Sequence, residues 1–114
     1  MSTKVHETDL IGREELKEKL DRGDDFKLVM VLGEWEYRAA RISGSVRVST
    51  PQEGLEALDP DEEIILYDSG PSCPASRMAC RFLKARGYGR VRRYAGGLEE
   101  WESAGYPLEG ESVG

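Results

Sequence analysis

The alternation of apolar and polar positions along the chain predicts strands that alternate with helices. Residues 64–67 (IILY) form a continuous apolar run, which is typical of a strand covered on both faces. Residues 26–32 (FKLVMVL) give a second buried strand, and shorter strands are predicted at 45–49 and 90–94. This order in a short chain predicts an α/β fold, with a small, mostly parallel sheet flanked by helices on both faces.

The predicted helices carry apolar residues three and four apart and end near glycine. Residues 13–22 place Leu16 and Leu20 on one face, and Gly23 is a suitable residue to end that helix. Residues 74–86 have the strongest pattern, a predicted core-facing stripe of Ala75, Met78, Ala79, Phe82 and Leu83. Shorter helices are predicted at 34–40, 52–58 and 98–104, the last with Leu98 and Trp101 turned inward.

Length, charge and hydropathy limit the class of protein. The 114 residues predict one domain over residues 1–108, and the polar residues 109–114 predict a disordered tail. The net charge of −6 argues against a general binder of nucleic acid or anionic membranes. No apolar run approaches the roughly 20 residues that span a bilayer. The polar start has no signal-peptide core, so we expect a cytoplasmic location.

The cysteine and histidine content narrows the chemistry further. Cys73 and Cys80 are too few for a disulfide framework, and two helical turns would separate them by roughly 10 Å. His6 is the only histidine and lies near the terminus, which argues against a histidine-based triad or a zinc site. We therefore expect no cofactor and no bound metal.

Residues 64–83 organise the rest of the chain as a strand, a loop of small residues and a helix. Glycine and serine in the loop favour a turn, and Pro74 suits the first turn of a helix. Open α/β sheets bind anions and substrates in such loops, between a strand's carboxyl end and a helix's amino end. The candidate site loop therefore consists of Asp68, Ser69, Gly70, Pro71, Ser72 and Cys73.

Several motifs around this loop are, taken together, similar to those of a known family. A strand ending in Tyr67 is followed by CPAS at a helix start, and then by FLKARGYGRV, YAGGLEEW and AGYP. The upstream segment VMVLGEWEYRAARISGSV is similar to a family segment of the form LVDVREPEEYAAGHIPGA. The chain thus resembles a single-domain rhodanese, a sulfurtransferase-type fold, from the first helix to Pro107.

The departures from this family bear on activity. In active rhodaneses, the residue directly after the strand's tyrosine is the catalytic cysteine, which carries a persulfide; here it is Asp68. The family's aspartate and arginine on the upstream strand are replaced by Met30 and Leu32, and its Gly-His pair by Ala40-Arg41. Because a carboxylate oxygen cannot accept sulfane sulfur, the resemblance implies that thiosulfate:cyanide transfer from this position is lost.

A carboxylate can nevertheless use the same loop. In the family, backbone N–H groups and the helix dipole stabilise the anionic sulfur. We predict that Asp68 fills this anion cradle permanently, although Pro71 removes one donor. An aspartyl-phosphate nucleophile at Asp68 is the weaker alternative, since it needs Mg²⁺ and further carboxylates at neighbouring strand ends, and none is evident.

Cys73 is the remaining candidate nucleophile. It lies at the start of a helix, where the thiolate form is favoured, and Arg77 one turn on would add positive charge. Arg41 is also expected near the loop. Some rhodanese-like sequences have a second cysteine before PAS, so the resemblance implies a partner thiol that has lost its mate. The alternative is a small residue that packs the loop against the helix, as we expect for the buried Cys80.

Two functions follow from these observations. The first is a rhodanese-like domain without thiosulfate sulfurtransferase activity that binds or regulates an unknown protein partner or a small anion. The second is a sulfurtransferase or sulfur carrier that uses Cys73. A basic cluster allows either a solvated edge balanced by Glu99 and Glu100 or a docking patch for an acidic partner or small anion; its members are Arg86, Arg90, Arg92 and Arg93. Trp35 and Trp101 are expected to be packing residues.

Overall fold

A computed structural model describes residues 9–48 and 50–113 of the chain. The helices are α1 (Arg13–Arg22), α2 (Glu34–Ala39), α3 (Pro51–Ala57), α4 (Ala75–Ala85) and α5 (Gly97–Ser103). The strands are β1 (Lys27–Met30), β2 (Arg41–Ile42), β3 (Val46–Arg47), β4 (Ile64–Tyr67), β5 (Val91–Tyr94) and β6 (Leu108–Glu109). The expectations for His6 and Ser49 lie outside the described residues.

Four parallel strands form the central sheet, in the order β3-β1-β4-β5. Leu10 extends the far edge by a parallel bridge to Arg93. The short strands β2 and β6 pair in antiparallel fashion beside this sheet. The predicted fold class, a small parallel sheet flanked by helices on both faces, is confirmed.

Two hydrophobic clusters cover the two faces of the sheet, because neighbouring residues of a strand point to opposite sides. The α5 face, under α1 and α5, buries Ile11, Leu16, Leu28, Met30, Ile42, Ile65, Tyr67, Tyr94 and Trp101. The α4 face, under α3 and α4, buries Val29, Leu58, Ile64, Leu66, Cys80, Leu83, Tyr88 and Val91. Burial on both sides explains why the central strands read as continuous apolar runs.

The helix ends follow local chemistry. Helix α1 has the predicted bounds and ends at Gly23, whose φ of 73° is readily adopted by glycine. Helix α3 begins one residue before its predicted start, since Thr50 Oγ accepts a hydrogen bond from the Glu53 N–H and Pro51 occupies the first turn. No helix within residues 9–48 and 50–113 has the length and apolar composition needed to cross a bilayer.

Helix α4 is turned relative to its predicted stripe. Its buried side chains are those of Ser76, Cys80 and Leu83. Met78, predicted to face the core, is 65 % exposed. Two hydrogen bonds of Ser76 explain this orientation. The Ser76 N–H donates to Asp68 and the Ser76 hydroxyl accepts from Arg93, so that this side of the helix packs on the sheet.

The carboxyl-terminal residues also differ from the prediction. Leu108–Glu109 forms β6, which pairs with β2. Beyond it, the backbone N–H groups of Glu111 and Ser112 donate to carbonyl oxygens at the end of α2. These backbone hydrogen bonds connect residues 111 and 112 to α2, within the segment for which the polar composition predicts a disordered tail.

Candidate functional site

The candidate loop joins β4 to α4 at the edge of the sheet where the parallel strands end. Asp68 follows β4 directly and is fully buried. Pro71 and Ser72 are exposed at the tip of the loop, and Cys73 is half-buried where the loop meets α4. The structure thus brings the six predicted residues together as one loop, with its carboxylate inside and its tip in solvent.

Both carboxylate oxygens of Asp68 accept hydrogen bonds from backbone N–H groups. Oδ1 accepts from Gly70 at 3.2 Å, and Oδ2 accepts from Ser76, in the first turn of α4, at 2.8 Å. The carboxylate therefore binds one donor of the loop and one donor of the helix terminus. Since both of these N–H groups are buried with it, the carboxylate satisfies donors that would otherwise need another acceptor.

The start of α5 holds the loop from the other side. The Leu98 N–H donates to the Asp68 carbonyl at 3.0 Å, and the Glu99 N–H donates to the Ser69 carbonyl at 2.9 Å. Gly97 has a φ of 62°, and a Cβ on it would lie 2.5 Å from the Asp68 carbonyl oxygen and 2.6 Å from the Gly70 nitrogen. Gly97 is the second glycine of the motif YAGGLEEW, and this close approach requires glycine.

The sequence patterns predict no role for Ser76 and place Arg93 in a basic cluster, without a contact next to the loop. Arg93 is 6 % exposed, and its Nε donates to Ser76 Oγ at 3.1 Å. Arg93 has no ion pair within 4.0 Å in the part of the chain that the structure describes. Its position in the strand 90–94 was a usable signal, because a charged residue in a buried strand needs a polar partner.

The surroundings of the loop are acidic. A Cβ on Gly70 would lie 2.7 Å from Glu99 Cδ, so the Glu99 carboxylate lies directly against the loop. Asp68 lies buried on the inside of the same loop. Two carboxylates at one short loop disfavour the approach of an external anion.

Tyr67 fixes the strand end below Asp68. Its hydroxyl accepts a hydrogen bond from the Ile42 N–H at 3.0 Å and shares another with Ser45 Oγ at 2.9 Å. Burial raises the pKa of Tyr67 to about 12, so the hydroxyl remains protonated near neutral pH. The tyrosine that identified the motif therefore links β4 to the turn that follows β2.

The two cysteines have different environments. The Cys73 N–H donates to the Gly70 carbonyl at 3.1 Å, which closes the loop just before α4. Cys80 is buried on the α4 face, and this burial raises the pKa of the Cys80 thiol. Both thiols are free. Cys73 is therefore the more accessible thiol.

The two arginines expected near the loop make no hydrogen bond or ion pair with it among the described residues. The Arg41 guanidinium stacks on the Tyr37 ring at 4.5 Å, donates to the Tyr37 carbonyl and lies 3.6 Å from Glu109. Arg77 is exposed on α4.

The predicted basic cluster holds only in part. Arg90 and Arg92 line one pocket, where Arg92 pairs with Glu15 at 3.1 Å and Arg90 lies 3.9 Å from Glu63. Arg93 is buried away from them, because neighbouring residues of a strand point to opposite faces. The acids predicted to balance these arginines make other contacts, since Glu99 lies against the loop and Glu100 accepts from a tyrosine hydroxyl.

The two tryptophans differ sharply. Trp101 is buried on the α5 face, as predicted, whereas Trp35 is 86 % exposed on α2. Helix α2 has no buried residue, so its tryptophan is not a packing residue.

The described residues contain no group of three or more histidine, cysteine, aspartate or glutamate side chains placed to hold a metal ion.

Comparison with known proteins agrees with the geometry of the fold. A family model, the rhodanese-like domain, matches residues 12–104. No curated protein sequence matches significantly. Among solved structures, the BH2092 protein from Bacillus halodurans has a TM-score of 0.83 at 21 % identity, covering 90 % of this chain and 77 % of that one. The Alr3790 protein from Anabaena sp. has a TM-score of 0.80 at 24 % identity, covering 90 % and 94 %.

A rhodanese-related protein from Thermoplasma volcanium has a TM-score of 0.72 at 22 % identity, covering 90 % of this chain and 98 % of that one. At these identities the solved structures support the fold. The family model covers every element from α1 to α5, including the loop at Asp68, and the chain therefore belongs to the rhodanese-like domain family.

Proposed function

We propose that this protein is a rhodanese-like domain without thiosulfate sulfurtransferase activity, which acts as a binding or regulatory module. One observation carries this proposal: the buried Asp68 carboxylate accepts the N–H groups of Gly70 and Ser76. These are donors of the kind that stabilise a sulfur anion in a rhodanese loop. In this chain they already have an acceptor that is covalently part of the loop.

The chemistry of Asp68 supports the same conclusion. Sulfur transfer requires a nucleophile that a sulfane donor can reach, and Asp68 is 0 % exposed. A carboxylate oxygen also cannot form the persulfide. An aspartyl nucleophile acting on phosphate esters is disfavoured as well, because either oxygen would have to release a backbone donor before it could attack.

The proposed partner is a protein rather than a small anion in the loop. The carboxyl groups of Asp68 and Glu99 lie on the inside of the loop and against it, which disfavours a second acidic group at that place. A location in the cytoplasm remains part of this proposal.

The test is a thiosulfate:cyanide assay on the wild-type chain, Asp68→Cys and Asp68→Ser. We expect no thiocyanate from the wild type or from Asp68→Ser, which keeps an oxygen at this position but no thiol. Asp68→Cys tests the loop itself: uptake of sulfane sulfur would show that a donor can reach position 68, and no uptake would show that burial also closes this position. Clear thiocyanate formation by the wild type would refute the proposal.

A sulfur carrier that uses Cys73 is the second candidate. It is favoured by one observation, the half-exposed position of this free thiol directly before α4. Loading with a sulfane donor, followed by intact-mass analysis, should then add one sulfur atom to the wild type and to Cys80→Ser. Cys73→Ser should add none, and a wild type without added sulfur removes this candidate.

A further inference from the structure

A pocket of about 380 Å³ lies on the α4 face, and Asp68 is not among its lining residues. Helices α3 and α4 form its walls, and residues that directly follow β1 and β3 form its floor. The side chains that define it are Val31, Val48, Leu58, Met78, Ala79 and Phe82. It begins at Ala75, the first residue of α4, so a molecule bound there lies beside the end of the loop.

Among the described residues, the lining of the pocket is uncharged. Thr50 supplies the one polar side chain of that described lining, and its hydroxyl already accepts the Glu53 N–H at 3.1 Å. Pockets for small molecules usually contain a few placed polar groups that orient the ligand, and residues 9–48 and 50–113 supply no others here. Met78, 65 % exposed at the rim, is a flexible side chain of the kind found on adaptable protein-binding surfaces. This lining favours apolar side chains of a polypeptide as the occupant.

The exposed side of α4 next to the pocket carries positive charge. Arg77 and Arg81 are exposed there beside Met78, although neither of them lines the pocket, and α3 on the opposite wall exposes two glutamates. Neither arginine forms an ion pair within 4.0 Å in residues 9–48 and 50–113, although the chain has more acidic than basic residues. By contrast, Lys84 on the same helix pairs with Asp9 at 3.0 Å. The two free guanidinium groups are complementary to carboxylates of a partner.

We propose that this pocket and the neighbouring exposed side of α4 bind an acidic amphipathic helix of a partner protein. Apolar side chains three and four residues apart on that helix enter the pocket, while carboxylates on the side of that helix next to α4 pair with Arg77 and Arg81. This inference rests on the proposed role as a binding module, and it specifies the chemistry of the partner.

The experiment titrates the full chain, labelled with ¹⁵N, with two synthetic helical peptides. Both have leucine at positions i, i+4 and i+7; the first has glutamate at the remaining positions and the second has lysine. We expect the glutamate peptide to shift amide signals of α3 and α4. The lysine peptide should bind at least about fivefold more weakly, because its ammonium groups carry the same charge as the two arginines.

Variants assign the binding to this surface. Met78→Glu should weaken the glutamate peptide about tenfold or more, because it places an unpaired charge at an apolar contact. Arg77→Glu/Arg81→Glu should weaken it about fivefold or more. The charge-matched control is Arg22→Glu/Arg38→Glu, which alters exposed arginines that pair within the chain, and it should leave binding unchanged. Unchanged spectra outside the pocket show that each variant is folded.

The proposal is overturned if the glutamate peptide shifts no α3 or α4 signal, or if the lysine peptide binds equally well. It is also overturned if naphthalene, a neutral apolar probe, occupies the pocket while the affinity for the glutamate peptide is the same in the arginine variants as in the wild type. That result would assign the pocket to a small hydrocarbon. These outcomes are separable from the thiocyanate assay, because binding is measured without any sulfur donor and should be unchanged in Asp68→Ser.

Discussion

The two faces of the sheet differ in how completely side chains cover them. On the α5 face, Trp101 packs edge-on against the rings of Tyr94 and Tyr106, with centroids 5.7 Å and 4.8 Å away, and its Nε1 donates to the Pro107 carbonyl. On the α4 face, the helices leave a pocket of about 380 Å³, and Met78 is largely exposed. The α5 face is therefore closed by rings and hydrogen bonds, whereas the α4 face remains partly open.

The two faces therefore contribute differently, one to the position of the loop and the other to exposed apolar surface. The closed face holds the loop, since α5 donates backbone hydrogen bonds to the carbonyls of Asp68 and Ser69, and Tyr67 anchors the strand before it. The open face offers apolar surface without a covering side chain. One face of the sheet thus holds the loop that carries Asp68, while the other face leaves apolar surface available for the proposed partner.

The largest expected effect is the loss of the Trp101 ring. Trp101→Ala should lower the free energy of unfolding by about 3–5 kcal/mol, since it leaves a cavity and removes two ring contacts. Phe82→Ala, on the open face, should cost only about 1–2 kcal/mol because this ring is half-buried at the pocket. Urea unfolding followed by circular dichroism measures both.

Trp101→Phe provides the measurement if Trp101→Ala does not fold. Equal losses for the substitutions on the two faces would contradict the distinction between a closed and an open face.

The next effect tests how closely α5 approaches the loop. Gly97→Ala should cost about 3 kcal/mol or more, because an alanine would combine left-handed backbone with a clash against the Asp68 carbonyl. Gly23→Ala is the matched control, since its φ of 73° is similar and no atom lies within 4 Å of its Cβ position. It should cost about 1–2 kcal/mol. The difference in urea midpoints isolates the contact with the loop, and similar costs would show that this contact is not tight.

The elements of the fold could be read from the sequence because local signals determine them. Helix α1 has its predicted bounds since its apolar spacing and Gly23 act within a few residues. The family motifs also placed Asp68 at the end of β4, and the structure agrees on that position. Polar contacts between distant segments were not predictable from periodicity.

Helix α4 shows why features that depend on distant contacts could not be predicted from the sequence. Its apolar stripe extends over more of the helix than the core covers, and the pattern cannot say which part stays exposed. The choice is made by Ser76, which contacts Asp68 eight residues earlier and Arg93 seventeen residues later. The strand β6 was missed for a similar reason, since its partner β2 lies more than sixty residues upstream.

A smaller effect concerns the hydroxyl that anchors β4. Tyr67→Phe should cost about 1–3 kcal/mol, because the buried Ile42 N–H loses its acceptor and Ser45 Oγ loses a partner. The ring and its packing are retained, so the change isolates the hydrogen bonds. Urea unfolding at neutral pH measures the cost, and an unchanged midpoint would show that the hydroxyl is not needed to close the α5 face.

The same hydroxyl predicts a dependence on alkaline pH. Burial raises the pKa of Tyr67 from 10.0 to about 12, so the folded state disfavours the phenolate. This contribution to stability is therefore complete below about pH 10 and is lost as the pH rises through about 12. The loss should be shallower in Tyr67→Phe, and a residual slope should remain because burial also raises the pKa of Tyr94. Equal slopes for Tyr67→Phe and the wild type would be inconsistent with this assignment.

The smallest expected effect tests whether the open α4 face has unfilled volume. Ala79→Leu adds apolar atoms that point into the pocket, so it should stabilise the fold by up to about 1 kcal/mol. Leu16→Phe, at a fully buried position of the closed face, should instead cost about 1–3 kcal/mol through overpacking. The opposite signs follow because added volume displaces water at one site and packed side chains at the other. If Ala79→Leu destabilises the protein as much as Leu16→Phe, the α4 face is closed in solution. If it is stabilising and also weakens the glutamate peptide, the volume it fills is the volume that the partner occupies.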